Sequence, residues 1–193
     1  MIETLLFATS NPNKVLEIRQ LLGDSPIEIV TMAELGYTEE IPETGNTLEQ
    51  NALLKAEYLY EKAGRSVISE DTGLEVDALN GEPGVRTARY AGDLKDTNAN
   101  MELLLENLSG ARNRNAQFRT VIALITADKR LTFEGIVRGI ITNELSGTKG
   151  FGYDPVFIPE GFKESFAEMD MDQKSSISHR GRALTKLINF LKK

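Results

Sequence analysis

Two adjacent acids, Glu70 and Asp71, are the residues of this chain best suited to carry chemistry. They follow an apolar stretch that is typical of a short buried strand, and Gly73 would allow a tight turn straight after them. Because strand side chains alternate, we expect the two carboxylates to face opposite sides and do different jobs. Carboxylate oxygens suit Mg²⁺, which proteins often hold with one or two acids plus substrate phosphates. The segment by itself is more typical of a solvated acidic turn, so a magnesium site needs support from elsewhere in the chain.

A third acid, Glu43, lies in a Pro-Glu-Thr-Gly stretch that is ordinary loop chemistry. A capping-box pattern at residues 47–50 then starts a helix that is expected to end near Gly64. On this helix Asn51 and Lys55 are four residues apart and share a face. A lysine at the edge of an apolar stripe more often reaches into water than binds a ligand, so this pair alone predicts no site.

The turn at residues 9–14 could bind an anion. An apolar run ends before it, and a helical pattern of apolar residues begins after it. Asn11 or Ser10 can cap that helix, and Pro12 fits its first turn, where no backbone N–H is needed. Lys14 then lies near the positive end of the helix dipole, where a cation is disfavoured. An anion would resolve this conflict, because free N–H groups and the lysine would converge on it; a lysine that reaches into water is the equally favoured alternative.

Two aromatic residues in the last third of the chain could contact a nucleobase. Residues 150–155 place Phe151 and Tyr153 among glycines, which would let a ring stand exposed beside the backbone. Exposed rings of this kind stack on bases, whereas rings that fill core space are the alternative.

Three cationic or ionisable residues, Lys174, His179 and Arg180, stand near the start of the last predicted helix. Cations are disfavoured there unless something negative or rich in oxygen docks. His179 is the only histidine of the chain, and a lone histidine is usually structural. A zinc site of the usual kind would need a second histidine, and a Ser-His-Asp triad is not indicated because no serine lies in a nucleophile-elbow pattern.

Composition sets wider limits on function. The 193 residues are 40% hydrophobic and 26% charged, as expected of one globular domain or of two lobes that share a sheet. No run approaches a membrane span, and no basic-then-apolar signal pattern opens the chain. The absence of cysteine excludes disulfides and thiolate chemistry, and suits the cytoplasm. A net charge of −7 argues against nucleic-acid polymers, although a nucleotide could bind where a few cations are focused.

The elements that must position these residues alternate in type along the first half of the chain and are richer in strand in the second half. The pattern indicates an α/β protein with a mixed sheet, in which G-x-G-x-x-G and Walker A sequences are both absent. Strands are expected at 27–30, 67–69, 117–126, 131–142 and 154–158, and helices after Asn11, from Thr47 to about Gly64, after Asp96 or Thr97, and from about Ser178.

Six short motifs occur in an order that resembles the inosine triphosphate pyrophosphatase family. They are Thr-Ser-Asn-x-x-Lys (9–14), Glu-Thr-Gly (43–45), Glu-Asp-Thr-Gly-Leu (70–74), Gly-x-Pro-Gly (81–84), Phe-Gly-Tyr-Asp-Pro (151–155) and Ser-His-Arg (178–180). Each motif is only modestly specific, but the resemblance extends over nearly the whole chain. It implies hydrolysis of noncanonical purine nucleoside triphosphates to the monophosphate and pyrophosphate.

The resemblance also implies roles for individual residues. Glu43 and Asp71 would form the Mg²⁺ site, and Asp71 would accept the proton of the attacking water. Thr72 stands where the family often has serine, and Glu70 where it often has aspartate, which leaves the role of Glu70 open. The expected substrate-binding residues are Thr9, Ser10, Asn11, Pro12, Asn13, Lys14 and Lys55 for the phosphates, Thr72, and Phe151, Gly152, Tyr153, Asp154, Lys174, His179 and Arg180 for the base.

The family resemblance further implies a curved mixed α/β sheet with flanking helices and two lobes around a central cleft, in a single domain spanning residues 1–193, and a homodimer. The sequence therefore predicts a cytoplasmic, Mg²⁺-dependent enzyme that clears ITP, dITP and XTP. Two alternatives stay open: a related pyrophosphatase acting on modified pyrimidine or standard nucleotides, and a module that senses nucleotides without turnover. The paired acids Glu43 and Asp71 argue against a pure sensor, because a triphosphate binder has little need for further negative charge.

Overall fold

The computed structural model describes residues 4–192, so both ends of the predicted domain, residues 1 and 193, lie outside the described residues. Its strands are β1 (Thr4–Phe7), β2 (Glu28–Thr31), β3 (Val67–Val76), β4 (Asn115–Ile125), β5 (Arg130–Ile141) and β6 (Phe157–Pro159). Its α-helices are α1 (Pro12–Leu22), α2 (Leu48–Ala63), α3 (Thr97–Asn107), α4 (Met171–Ile177) and α5 (His179–Leu191). Short 3₁₀ turns occupy Ala33–Leu35, Asp77–Leu79, Gly84–Arg89 and Asp154–Val156.

The six strands form one mixed sheet in the order β2-β1-β3-β4-β5-β6. Strand β1 pairs in parallel with both β2 and β3, whereas β5 and β6 are antiparallel. The neighbours β4 and β5 are joined by only four residues, and the Thr126 N–H donates to the Lys129 carbonyl in this connection (2.9 Å). A link this short requires antiparallel strands, because a parallel crossover needs a dozen residues or more. The predicted mixed α/β sheet is confirmed, and β4 and β5 form a hairpin within it.

The chain divides into two units, each with its own apolar core. The first consists of residues 4–71, 120–135 and 180–192, and the second of residues 72–119 and 136–179. In the first unit one apolar cluster packs α1 and α5 against one set of strand residues, and another packs α2 against the alternate set. The second unit buries α3 with the remaining parts of β3, β4 and β5 around a group of phenylalanines.

Helix ends follow the capping residues that the sequence predicts. Asn11 caps α1 and Pro12 is its first residue, Thr47 caps α2 and Gly64 ends it in a left-handed conformation, and Asp96 caps α3. Helix α5 begins at His179, one residue from its predicted start. These local signals are strong because orphan N–H groups at a helix start need a nearby acceptor.

Two predicted boundaries are wrong. The segment after Ser69 was expected to turn at Gly73, but β3 continues through it to Val76, so Glu70 and Asp71 lie in the middle of a strand. The residues from Asp154 were expected to form a strand, but a 3₁₀ turn covers Asp154–Val156 and β6 begins at Phe157. Gly73 and the Asp154–Pro155 pair are each compatible with a strand and with a turn, so the sequence did not distinguish the two conformations.

None of the helices in the described part of the chain combines the length and the apolarity that crossing a bilayer would require.

Candidate active site

Strand β3 delivers Glu70 and Asp71 to opposite faces of the sheet, as the sequence predicts. Ile68, two residues before Glu70, packs in the cluster that contains α1 and α5. Val67, four residues before Asp71, packs in the cluster that contains α2. Since alternate strand residues share a face, Glu70 faces α1 and α5 while Asp71 faces α2. Both acids are buried, with 1% of Glu70 and 7% of Asp71 exposed.

Asp71 and Glu43 both accept a hydrogen bond from the same ammonium group, that of Lys55. Lys55 Nζ donates to Glu43 Oε1 at 2.5 Å and to Asp71 Oδ1 at 3.0 Å. Lys55 lies on α2, Glu43 in the loop before it, and Asp71 on the strand that α2 covers. The lysine that sequence reasoning placed at the edge of an apolar stripe therefore joins the two predicted metal ligands instead of reaching into water.

Burial and charge act in opposite directions on this trio. Desolvation raises the pKa of Asp71 above its ordinary value, although the Lys55 ammonium partly counteracts it. Burial disfavours the charged form of Lys55, but the attraction of Asp71 and Glu43 outweighs this and raises the pKa of Lys55. The lysine is therefore fixed as a cation between two acids.

Glu70 belongs to a second ionic cluster on the other face of β3. Arg180 donates to both of its oxygens, from Nε to Oε2 at 2.7 Å and from Nη2 to Oε1 at 2.8 Å. Lys14 Nζ lies 3.1 Å from Glu70 Oε1, and Arg180 Nη1 also bonds Glu17 on α1. Desolvation alone would raise the pKa of Glu70, but Arg180 and Lys14 lower it well below its usual range.

This cluster accounts for the awkward position of Lys14. A lysine near the start of α1 is disfavoured by the helix dipole, and burial lowers its pKa, but the Glu70 carboxylate opposes that shift. The compensating anion is therefore provided at least in part by the protein. Glu17 and the partner role of Arg180 were missed, because no sequence signal distinguishes a buried acid on an amphipathic helix from an exposed one.

The loop before α1 is ordered by its own side chains. Asn11 Oδ1 accepts from the Asn13 N–H (3.0 Å) and the Lys14 N–H (3.4 Å), and Thr9 Oγ1 accepts from the Asn11 N–H (3.2 Å). Ser10 and Asn13 are exposed. Asn11 thus caps two of the N–H groups that were expected to be free at the start of α1. The exposed polar side chains lie at this same N-terminal end of the helix.

The second unit brings together most of the residues predicted to recognise a base. Lys174 Nζ donates to Asp154 Oδ2 at 2.7 Å and lies 5.0 Å from the centre of the Phe151 ring. The Phe151 N–H also donates to Asp154 Oδ2 at 2.8 Å. Gly150 makes this possible, because a β-carbon there would lie 2.1 Å from that same oxygen. Phe151 stays partly exposed, beside Gly152.

Tyr153 and His179 are both buried in the second unit, each against a different partner. The Tyr153 hydroxyl donates to the Thr87 carbonyl (2.9 Å), and its ring is part of the apolar core. The His179 ring stacks on Phe118, with centroids 4.7 Å apart and planes within 16°. Phe118 was not predicted, since an aromatic residue in a β-rich run looks like any core residue. His179 therefore packs against an aromatic ring, whereas its chain neighbour Arg180 binds acidic side chains.

Glu43 and Asp71 are the residues that could hold a magnesium ion if substrate oxygens and waters completed its shell. Their oxygens both lie within hydrogen-bond distance of one point, Lys55 Nζ, so they can present ligands to a common position. Among the described residues, no cluster of three or more acids and histidines could hold a metal by itself. Magnesium needs no such cluster when phosphates and waters complete its shell.

Family membership follows from a family model that matches nearly the whole chain. The model of the Ham1 family matches residues 5–190. This chain belongs to the Ham1 family. The resemblance predicted from the ordered motifs is thereby confirmed.

Three dITP/XTP pyrophosphatases are similar to this chain over nearly its whole length. A dITP/XTP pyrophosphatase of Flavobacterium psychrophilum is 50% identical over 188 residues, covering 97% of this chain and 98% of the relative. One from Porphyromonas gingivalis is 51% identical, with 98% of each chain covered. One from Bacillus subtilis is 43% identical, covering 99% of this chain and 98% of the relative.

Solved structures of the Ham1 family share the fold. The Ham1 protein of Staphylococcus aureus is 38% identical, with a TM-score of 0.89 and 98% of each chain covered. A HAM1 protein of Coxiella burnetii is 36% identical, with a TM-score of 0.90, covering 100% of this chain and 99% of that one. The predicted fold class, a mixed α/β sheet with flanking helices, is therefore confirmed.

Proposed function

We propose that this Ham1-family chain hydrolyses the noncanonical purine nucleotides ITP, dITP and XTP to the nucleoside monophosphate and pyrophosphate. The observation that carries the proposal is the meeting of Glu43 and Asp71 at Lys55 Nζ, in the unit that also contains the lysine-bearing loop at residues 9–14. Relatives with about half of their residues identical are named dITP/XTP pyrophosphatases, which supports the same substrate class here.

The triphosphate is assigned to cationic and polar groups of the first unit. Lys14 and Lys55 would neutralise phosphate charge, and the exposed hydroxyl and amide groups at the start of α1 would donate hydrogen bonds. The phosphate-binding set is Thr9, Ser10, Asn11, Pro12, Asn13, Lys14 and Lys55.

Asp71 is assigned the role of proton acceptor for the attacking water. A carboxylate is a weak base at its ordinary pKa, and desolvation raises the pKa of Asp71 above that value, which makes it a stronger base. A Mg²⁺ ion bound by Glu43 and Asp71 would supply charge neutralisation at the phosphates. Lys55, which contacts both acids, would keep them in place and contact the phosphates when substrate arrives.

Base recognition is assigned to Lys174, Asp154 and the partly exposed ring of Phe151, with Gly152, Tyr153, Thr72, His179 and Arg180 as the remaining members of the set. Hypoxanthine and xanthine carry a carbonyl at position 6, which a donor can satisfy. Adenine carries an amino group there, so a donor would face a donor and leave buried groups unpaired. Guanine shares the carbonyl, and its rejection must depend on its 2-amino group. Arg180 stays a member of this set, although its guanidinium also binds Glu70 and Glu17 within the first unit.

The wider setting of the activity is part of the same proposal. We place the enzyme in the cytoplasm, as a single domain of two lobes that acts as a homodimer on free nucleotides, without nucleic-acid or membrane partners. The removal of dITP and XTP would keep deaminated purines out of the nucleotide pool.

Product analysis tests the reaction. Purified protein with Mg²⁺ and ITP should release inosine monophosphate and pyrophosphate in equal amounts, with inosine diphosphate and phosphate absent. Cleavage of dTTP or of modified pyrimidine triphosphates in preference to ITP would favour the related pyrophosphatase instead. Tight binding of ITP without any product would favour a nucleotide sensor.

A further inference from the structure

The side chain of Asn51 forms a hydrogen bond that no proposed catalytic step uses. Asn51 is 2% exposed, and its Oδ1 accepts from the backbone N–H of Gly45 at 2.7 Å. Asn51 lies in the first turns of α2, whereas Gly45 lies in the preceding loop, two residues after Glu43. The bond therefore fixes the backbone two residues after Glu43, one of the two proposed magnesium ligands.

The loop comes so close to α2 at this point that only glycine fits. A β-carbon on Gly45 would lie 2.7 Å from the Gln50 β-carbon, 2.8 Å from Asn51 Oδ1 and 3.1 Å from the Asn51 backbone nitrogen. The shortest of these contacts forces the loop or the helix to move, because the Gln50 β-carbon is fixed by the helix backbone and cannot rotate away. Gly45 and Asn51 are thus matched to each other, by space as well as by hydrogen bonding.

Helix α2 connects this contact to the rest of the acid pair. Asn51 and Lys55 are one turn apart on the same face, and Lys55 bonds both Glu43 and Asp71. The helix is in turn attached to β3. Ser69, which stands two residues before Asp71 on β3, donates from its Oγ to the Ala52 carbonyl of α2. The Glu43 loop is therefore tied to the same scaffold as Asp71 at two points, through the Glu43 carboxylate and through the backbone N–H of Gly45.

We propose that Asn51 and Gly45 form a positioning pair, which holds the Glu43 loop against α2 so that the Glu43 and Asp71 carboxylates can bind one divalent cation. The inference rests on the proposed function, since it assigns the metal to Glu43 and Asp71. It does not place Asn51 in contact with substrate or metal.

Two substitutions break the pair from opposite sides. Asn51→Leu keeps the side-chain size but removes the acceptor, and Gly45→Ala keeps the acceptor but forces the loop away. Groups that orient a metal ligand typically change metal affinity or activity by about 10- to 100-fold when removed. We expect each variant to raise the Mg²⁺ concentration for half-maximal ITP hydrolysis at least about tenfold. The double variant should lose little more than the worse single variant, because both disrupt one contact.

Gln50→Ala is the matched control. Gln50 is exposed on the same turn of α2, and its Oε1 accepts from the next backbone N–H of the loop, that of Asn46, at 2.8 Å. If the site needs only general loop stability, this variant should resemble Asn51→Leu. If the site needs the specific contact beside Glu43, Gln50→Ala should keep its Mg²⁺ requirement within about twofold of the wild type.

Amide hydrogen exchange at Gly45 provides a readout that is independent of activity. The exchange rate should rise in Asn51→Leu, which loses the acceptor, and stay unchanged in Gln50→Ala. Wild-type exchange at Gly45 as fast as at neighbouring exposed amides would overturn the inference. So would faster exchange in Asn51→Leu with an unchanged Mg²⁺ requirement, because the contact would then be structural only. If Asn51→Leu fails to fold, Gly45→Ala is judged on its Mg²⁺ requirement alone.

The wild-type protein separates failure of this inference from failure of the proposed function. Mg²⁺-dependent release of pyrophosphate from ITP by the wild type, together with an unchanged Mg²⁺ requirement in both variants, removes the positioning pair and leaves the proposed function intact. A wild type without pyrophosphate release at any Mg²⁺ concentration refutes the proposed function and, with it, the inference.

Discussion

At the residue scale, Glu70 and Asp71 are chain neighbours with different partners. Asp71 shares the Lys55 ammonium with Glu43, whereas Glu70 receives a bidentate Arg180 and the Lys14 ammonium. A carboxylate that already binds two cations through both oxygens is suited to structural support. One that shares a single cation with another acid is better placed to exchange partners when metal and substrate bind.

Asp71→Asn should abolish turnover while leaving ITP binding detectable. The amide keeps the size of the side chain and loses the negative charge and the ability to take a proton, so the loss should appear in kcat more than in binding. Pyrophosphate release and calorimetric ITP binding measure the two effects separately. Turnover at the wild-type rate would remove Asp71 from the mechanism.

Glu70→Gln should destabilise the protein strongly. It leaves Arg180, which is 1% exposed, and Lys14 without their shared carboxylate, and removing one partner of a buried ion pair typically costs about 3–5 kcal/mol. Urea unfolding at pH 7 measures the loss. Glu75→Gln on the same strand is the control: Glu75 is partly exposed and lies 3.5 Å from Arg119, so its loss should cost about 1 kcal/mol or less. Equal effects of the two substitutions would contradict the proposed support role.

At the element scale, Glu34 ties the end of β2 to α1. It accepts from the Thr31 N–H (2.7 Å), and Arg19 of α1 donates both to it (2.9 Å) and to the Ile29 carbonyl (3.0 Å). The hydrogen bond from the Thr31 backbone, followed by that from Arg19, lowers the pKa of Glu34 from 4.5 to about 2. The stabilisation that this carboxylate provides is therefore complete above pH 4.5 and is lost as the pH falls toward 2.

Glu34→Gln should remove this pH dependence. The wild type should be more stable than the variant at neutral pH, and the difference should vanish between pH 4.5 and 2. The effect should be small and salt-sensitive, because the Glu34 side chain is 49% exposed. Urea unfolding at several pH values measures it, with Glu28→Gln, an exposed acid of β2, as the control. A Glu34 pKa near 4.5 by NMR would contradict the argument.

Elements with strong local signals are predictable from the sequence, whereas elements whose bounds depend on long-range packing are not. Thr47 was predictable as a cap, and Asn11 and Asp96 were each one of two adjacent candidates, because capping is a contact between near neighbours. The continuation of β3 through Gly73 was not, since pairing with distant strands overrides the turn preference of one glycine.

At the scale of the whole molecule, the motifs predicted membership of the family but could not predict the pairing of charges. Glu43, Lys55 and Asp71 come from three separate segments, and only the fold brings them together. The same holds for Arg180 and Glu70, which are 110 residues apart in the chain. Charge pairs of this kind depend on tertiary packing. No periodicity or spacing in a single sequence indicates which distant residues will pair.

The most direct test of the account compares ITP with ATP. We predict that kcat/KM for pyrophosphate release with Mg²⁺ is at least about tenfold higher for ITP, since a buried donor left facing the 6-amino group costs about 1–3 kcal/mol. XTP should behave like ITP. Equal values of kcat/KM for ITP and ATP would contradict the central claim that this chain selects noncanonical purine nucleotides.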